Sequence, residues 1–456
     1  MKKIRIVITL SCLLSTTALG STMQEALIST YQNNPELIAA REQLKITDEK
    51  MSNAISGFLP KIYYEASKTE SKRDTSPVGY TTNIEETGWT YTKSKRSGLN
   101  LKQNLFDGGK TVMAVQIAKY TIESGRADLI ATEQKILLEA ITAYLEIVSS
   151  KEILDITTEN FQAYEKRYEA IDDKLKVGAA KVSDLATAAA ARANAYTELT
   201  SASGRYSSAI ATYIQVIGIE PENVKIEKSL TTPPSNQLDL LKFSLATNPE
   251  LSSINFKKKV SDINLVSSAA QLLPSVDLVG SISKEWTNVN SPYSPSQPYT
   301  NSKSIYVNIT VPIFNQGLEY SGIRSSSADA AKFKYILKNT RAKIAQLTSK
   351  SWNDYLGAEE GVKSAEEAVK AATIALEGKK QEYNEGVGTL TELLDAQKNL
   401  FDYKIRLTKV KQDAELSKYN MASLMGKLTA KDLNLETKIY NASANYDKIK
   451  FEIIGF

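Results

Sequence analysis

From Ala140 onward, apolar residues recur every seven positions: Ala140, Ile147, Leu154, Phe161, Tyr168 and Leu175, with Ala143, Tyr164 and Ile171 three positions on. This is the pattern of a coiled-coil seam, with Ser150 and Thr157 interrupting its second line. Proline is absent from 78 to 220 and from 313 to the end, so a helix is nowhere sterically broken there. The pattern predicts a helix from about Lys110 to Val177, about 100 Å long at 1.5 Å per residue and suited to spanning a compartment. Gly178 and Gly386 each follow a rod, and helical pattern resumes beyond them. Each rod is therefore read as one arm of a helical hairpin, with glycine relieving the turn and Ser183 or Thr391 available at the start of the returning helix. The first returning helix carries Ala186, Ala188, Ala189, Ala190, Ala191, Ala193 and Ala195, small residues that permit close helix approach.

Ahead of each rod the period changes from seven to two. Ile305, Val307, Ile309, Val311 and Ile313 alternate with Tyr306, Asn308, Thr310 and Pro312, and Leu99, Leu101 and Leu105 alternate with Asn100, Lys102 and Asn104. Their partners are 58–68 and 273–286, the latter with Val276, Leu278 and Ile282 on one face. Strands of about ten residues with one apolar face are what a membrane barrel requires. Tyr63, Tyr64, Trp89, Tyr91, Trp286 and Tyr306 are candidates for interfacial aromatics. Four strands cannot close a barrel, because the smallest have about eight. Two copies give a lumen filled by side chains, so transport favours at least three.

The two alternations belong to a duplication. NPEL at 34–37 returns at 248–251 and Leu59-Pro60 returns as Leu273-Pro274, both displaced by 214 residues. Beyond one loop the displacement is 208, pairing Phe106 with Phe314, Gly178 with Gly386, Asp184 with Glu392 and Gly218 with Gly426. Constant spacing is expected of rods of fixed length. The organisation read from this is an export segment at 1–20, a first repeat at 21–218 (helix, two strands, long hairpin), a linker at 219–236, a second repeat at 237–426 and a tail at 427–456.

The first twenty residues carry Lys2, Lys3 and Arg5, an apolar run and Ala18-Leu19-Gly20, the form of a secretory signal. The sole cysteine, Cys12, falls inside it in a poor context for lipid attachment, so the mature chain is expected to lack thiols and disulfides. Removing those three basic residues leaves 53 Lys and Arg against 52 Asp and Glu, with no basic excess to suggest nucleic acid. No run of eighteen apolar residues follows, so if the mature chain meets a membrane it has to do so through a β-barrel.

Histidine is absent, which with the missing thiol removes His-based acid–base chemistry, cysteine nucleophiles and the usual zinc sites. The pairs Gly108-Gly109 and Gly386-x-Gly388 lack the lysine and hydroxyl of a phosphate loop. Neither an enzyme nor a cofactor is expected, and energy has to come from a partner.

The motifs NNPELIAAREQL, FLPKIYYEAS and LKQNLFDGGK, then NPELSSINFKKK, LLPSVDLVGSIS, YVNITVPIFNQG and YNEGVGTLTELLDAQKNL, in this order and duplicated, resemble the TolC family of outer-membrane channel proteins over most of the chain. The resemblance implies a mainly α protein with β: long coiled-coil hairpins plus four strands per chain, three chains forming a 12-stranded barrel and a 12-helix periplasmic tunnel. It implies a homotrimer in outer-membrane lipid, a periplasmic adaptor (membrane fusion) protein and an inner-membrane transporter as partners. The function implied is the passive exit duct of an efflux pump or type I secretion system.

Glu392 and Asp395 fall where the family places acidic rings at the periplasmic entrance. Spaced three apart they share a helix face, and six carboxylates meeting in a trimer would favour cations and raise one another's pKa. Tyr383 matches a family tyrosine that bonds an aspartate on a neighbouring helix, and Asp184 stands at that aspartate's position. A second family link joins arginine to threonine, whereas Gly388 and Ser183 occupy those places here. Val177, Gly178, Gly386, Val387, Gly388 and Thr389 lie at the hairpin tips, where the resemblance places the adaptor.

Two other classes share parts of this pattern. A trimeric coiled-coil adhesin would have signal, rods and barrel anchor but would gather its strands at the C-terminus. A periplasmic adaptor would have a single hairpin flanked by soluble β-domains. Residues 69–93 and 288–302 are expected as loops outside the cell, and the tail ending in Phe456 falls outside the repeat.

Overall fold

A computed structural model describes residues 22–75, 88–222, 224–225, 229–290 and 299–452. The export segment with Cys12, the middle of both expected outer loops and Phe456 lie outside the described residues. The element order is α1 (Met23–Asn33), α2 (Pro35–Ser56), β1 (Lys61–Thr75), β2 (Gly88–Phe106), α3 (Lys110–Lys176) and α4 (Val182–Ile217). It continues with α5 (Gln237–Thr247), α6 (Pro249–Ala269), a 3-10 turn, β3 (Ser275–Asn290), β4 (Thr300–Thr310), α7 (Leu318–Asn384), α8 (Leu390–Leu424) and a short α9 (Ala444–Ile449). The rods α3 and α7 have 67 residues each, which fits the fixed-length reading of the repeat.

Each NPEL motif divides what the sequence suggested was one short helix into two. The residue before proline is driven out of the helical region while proline suits a first helical position. Asn34 and Asn248 accordingly sit in extended conformation between α1 and α2 and between α5 and α6. Asn34 Oδ1 accepts from the Glu36 and Leu37 amides at 3.0 and 3.3 Å and so caps α2. Its Nδ2 donates to the Val216 carbonyl at 3.2 Å, and Asn248 Nδ2 donates to Leu424 at 3.1 Å. The motif thus ties each short helix to the end of the returning helix of its own repeat.

The chain divides into two compact units that cut across the repeats. One comprises 1–41, 129–249 and 341–440 and holds most of the helical hairpins. On α3 the buried line is Ala143, Ser150, Thr157, Tyr164 and Ile171, so the two residues read as interruptions are inside. Their hydroxyls are satisfied locally, Thr157 Oγ1 donating to the Ile153 carbonyl at 2.6 Å and Ser150 to Glu146 at 3.4 Å. A short hydroxyl residue bonded to its own helix fits a close seam that a larger side chain would hold open. On α4 only every seventh alanine of the series, Ala188, Ala195, Ala202 and Ala209, is buried. The tail closes on the N-terminal helices of this unit: Arg41 lies between the rings of Tyr31 and Tyr440 at 4.4 and 5.3 Å, and the Tyr440 amide donates to the Tyr31 hydroxyl at 3.0 Å.

The other unit comprises 42–128, 250–340 and 441–456 and contains one antiparallel sheet in the order β1-β2-β3-β4. Ile62 pairs with Leu101, Leu101 with Gly280 and Gly280 with Ile305, so cross-strand partners place Ile62, Tyr64, Leu99, Leu101, Leu278, Ile282, Ile305, Val307 and Ile309 on one face. The opposite face is polar: Lys102 pairs with Asp277 at 2.9 Å, and Ser281 and Ser304 hydroxyls meet at 2.8 Å. Tyr63 and Tyr306 belong to that polar face, whereas Tyr64, Tyr91 and Trp286 stand on the apolar one. β1 runs on to Thr75 and β2 begins at Gly88, so much of the expected loop 69–93 is strand, and the apolar stretch of β2 is its lower part only. The tail also reaches this unit. Asp48 is fully buried, Asn445 Nδ2 donates to its Oδ2 at 3.0 Å, and Arg126 stacks 5.2 Å from the Tyr446 ring while donating to Glu123 at 2.8 Å.

Candidate functional site

The two hairpin tips are built alike. After α3 the Ala179 amide donates to the Lys174 carbonyl at 2.7 Å and the Gly178 amide to Leu175 at 2.9 Å; after α7, Val387 donates to Glu382 at 3.0 Å and Gly386 to Tyr383 at 3.2 Å. This double bond is a Schellman ending, which needs a left-handed residue. Gly178 and Gly386 supply it at φ 75° and 79°. The returning helices start differently. Lys181 precedes α4 and its side chain makes no capping bond, whereas Thr389 caps α8 by accepting from the Glu392 amide at 3.2 Å. Neither Ser183 nor Thr391 is the cap: Ser183 already lies inside the first turn of α4, and Thr391 inside that of α8.

Below the tips, Tyr164, Ile171, Ala188, Ala195, Leu390 and Leu394 form a buried cluster, with Tyr383 and Leu185 packed against it. Four helices therefore converge here, and Tyr383 is the side chain that α7 packs against the cluster. The Lys174 ammonium and Arg167 guanidinium lie 5.3 and 5.7 Å from its ring. Asp184 stands on the first turn of α4, where the helix dipole favours a carboxylate. Leu185, the residue after Asp184, packs against the same cluster as Tyr383, and within one chain the described hydrogen bonds include none between Tyr383 and Asp184. Tyr164 is deep enough that burial, aided by Asp395 and Asp402, pushes its hydroxyl up to about 12.

Glu392 and Asp395 share the exposed face of α8, with Leu393 and Leu394 buried behind them. Lys379, which the sequence reading did not single out, bridges Glu382 at 2.8 Å and Glu392 at 2.9 Å. Its hydrogen bond holds Glu392 below the usual carboxylate range, and the two carboxylates hold Lys379 above the usual lysine range. Within the protomer the sign is thus opposite to the rise expected from carboxylate crowding, because an opposite charge at contact distance outweighs more distant like charges. The spacing of Lys379 and Glu382 was visible as a helical i, i+3 pair; the reach across the turn to Glu392 was not.

Gly388 packs on the end of α7, where an added Cβ would lie 3.0 Å from Glu382 Cβ and 3.1 Å from the Tyr383 amide nitrogen. Val177, Val182 and Val387 project from the tips at 79, 72 and 78% exposure. Among the described residues no three His, Cys, Asp or Glu side chains could hold a metal ion, and no helix is long and apolar enough to cross a membrane.

A chain that combines a sheet with one apolar face and two long helical hairpins with charged tips fits the class of barrel-anchored channel subunits. The family model described as outer membrane efflux protein matches 27–218 and 240–427, one match for each repeat, and the chain belongs to that family. It is 27% identical over 438 residues to the outer membrane efflux protein BepC of Brucella suis biovar 1, covering 96% of this chain and 92% of the relative. It is 22% identical to the outer membrane protein TolC of Vibrio cholerae serotype O1, covering 92% and 94%. Among solved structures, the CmeC outer membrane channel of Campylobacter jejuni superposes with a TM-score of 0.74 at 17% identity, over 94% of this chain and 89% of that one. The protein is accordingly an outer-membrane efflux channel component and not an enzyme. Its strands are divided between both repeats, unlike those of an adhesin anchor.

Proposed function

We propose that three copies join edge to edge into a passive duct through the outer membrane, continued by their hairpins into a periplasmic tunnel that receives cargo from an inner-membrane transporter through a periplasmic adaptor. The observation that carries this reading is the sheet: among the described residues it has four strands in sequence order, apolar on one face, with β1 and β4 each paired on one side only. Unpaired backbone groups cannot face lipid, and three such sheets supply twelve strands, enough for a lumen. The test is assembly and conductance together. Purified protein is expected to migrate as a heat-dissociable trimer and to open discrete conductance steps in planar bilayers; a pore-free monomer would sink the proposal.

The tip supplies the gate in this reading. Tyr383→Phe combined with Asp184→Ala is expected to raise single-channel conductance, and unchanged conductance would remove the latch. Ser183 and Gly388 take no part through an arginine–threonine link, since Gly388 has no side chain to offer. The exposed Val177, Val182 and Val387, with Gly178, Gly386 and Thr389 shaping the turns, form the surface on which the adaptor docks.

Cation selectivity at the entrance rests more on Asp395 than on Glu392, because Lys379 already compensates the latter. Asp395→Asn is expected to reduce the cation-to-anion permeability ratio more than Glu392→Gln, and Lys379→Gln to increase it. Reversal potentials across a salt gradient would check this order.

A further inference from the structure

The apolar face of the sheet changes character along its length. Following β3, Val276, Leu278 and Ile282 give way to Lys284 and Trp286. Lys284 pairs with Ser97 and Asn301, Trp286 is followed across the sheet by Lys95 and Lys68, Lys93 lies in the next row with Lys72 one row further out, and Lys303 stands beside Ile282. From Val276 to Trp286 is ten residues, about 33 Å along the strand. At a barrel tilt near 40° this is about 25 Å of height, the depth of an apolar band. The row of Lys68 and Lys95 at Trp286 therefore stands where the outward face leaves hydrocarbon, at the end of the strands away from the helices, with Lys284 and Lys303 about 5 and 10 Å below it, within reach of that edge for a long side chain. Trp286 marks that level as an interfacial aromatic, and the Lys95 ammonium lies 5.7 Å from its ring.

A second observation bears on what meets this belt. Lys68 and Lys95 are direct cross-strand partners, an arrangement that is destabilising when left uncompensated. On this face Glu70 is the one acidic side chain among the described residues of the belt, bonded to Lys68 at 2.9 Å and to the Tyr91 hydroxyl at 2.9 Å. Lys68, Lys95, Lys284 and Lys303 are exposed. The opposite face at the same height is mixed instead, with Arg96 paired to Glu285.

We infer that this belt binds the phosphate groups of an outer-leaflet glycolipid headgroup. The lysine stems lie along acyl chains while the ammonium groups reach outward to the phosphates. The occupant is a lipid and not a soluble anion because the belt continues the lipid-facing apolar surface without a break. The inference rests on the outer-membrane location of the protein and not on the duct being open or gated.

The test uses the whole assembled protein in detergent with bisphosphorylated hexaacyl lipid A, its dephosphorylated form, and inorganic phosphate as competitor, bound lipid being counted by native mass spectrometry. Lipid A is expected to bind at least tenfold more tightly than its dephosphorylated form. The variant Lys68→Gln, Lys93→Gln, Lys95→Gln and Lys284→Gln is expected to lose about 100-fold or more, each basic residue near an anionic surface contributing about fivefold. The corresponding four lysine-to-arginine changes are expected to keep binding, which separates charge loss from failed assembly. Lys61→Gln with Arg96→Gln on the polar face is expected to leave it unchanged. Equal binding of the two lipids, full retention by the glutamine variant, equal loss in the polar-face variant, or displacement of lipid A by inorganic phosphate would each overturn the inference. Conductance is expected to persist in the glutamine variant, so failure here is distinguishable from failure of the duct.

Discussion

Gly426→Ala is expected to destabilise the protein by at least about 3 kcal/mol, whereas Gly218→Ala at the equivalent place in the first repeat costs about 1 kcal/mol. Both glycines end a returning helix in left-handed conformation, at φ 70° and 84°. Their surroundings differ. A Cβ at Gly426 would lie 2.5 Å from the Thr247 carbonyl oxygen and 3.1 Å from its carbon, while nothing stands within 4 Å of one at Gly218. Backbone is the obstacle, and it is pinned there: Thr247 Oγ1 donates to the Met425 carbonyl at 2.6 Å and Asn248 Nδ2 to Leu424 at 3.1 Å. Relief requires breaking the joint between α5 and α8. Thermal melts followed by circular dichroism at 222 nm should show Gly426→Ala melting well below Gly218→Ala; equal melting temperatures would refute the argument.

The second large effect is expected at Arg126. Asp48 is wholly buried, its Oδ1 lacks a protein partner, and Arg126 Nε is likewise buried without one. Burial raises the Asp48 pKa, while the Asn445 hydrogen bond and the nearby guanidinium oppose that rise. Arg126→Ala removes a compensating charge and the stacking on Tyr446 together, and leaving a buried charge unpaired costs about 3 kcal/mol or more. The sign of the pH dependence follows from the raised folded-state pKa. Its contribution is fully present below the unfolded value of 3.8 and is lost as pH rises through the folded value. Stability of Arg126→Ala should therefore fall more steeply from pH 4 upward than that of the parent, and adding Asp48→Asn should flatten the curve. Chemical denaturation at a series of pH values measures both.

The local physics of the rods was readable in the chain. A seven-residue apolar period without proline fixed α3 to within a residue of its observed end, and the duplicated spacing carried α7 with it. Alternation at Ile305, Val307 and Ile309 placed the apolar face of β4, although the strand starts earlier, at Thr300, and ends at Thr310, before Val311 and Ile313. What was missed depends on geometry that period alone does not encode. Asn34 and Asn248 break a helix because a proline follows, a rule about one bond that a window average conceals. Ser150 and Thr157 look polar in sequence but bond their own helix and go inside. Lys379 reaches Glu392 only because the turn at Gly386 brings α8 back beside α7. The packing of the tail has no local signal, because Tyr440 and Asn445 find partners about 400 residues away at Tyr31 and Asp48.

That same separation joins distant stretches of the chain at one point. Tyr440 closes over Arg41 opposite Tyr31, so the junction of α1 and α2 is gripped only once segments about 400 residues apart have met.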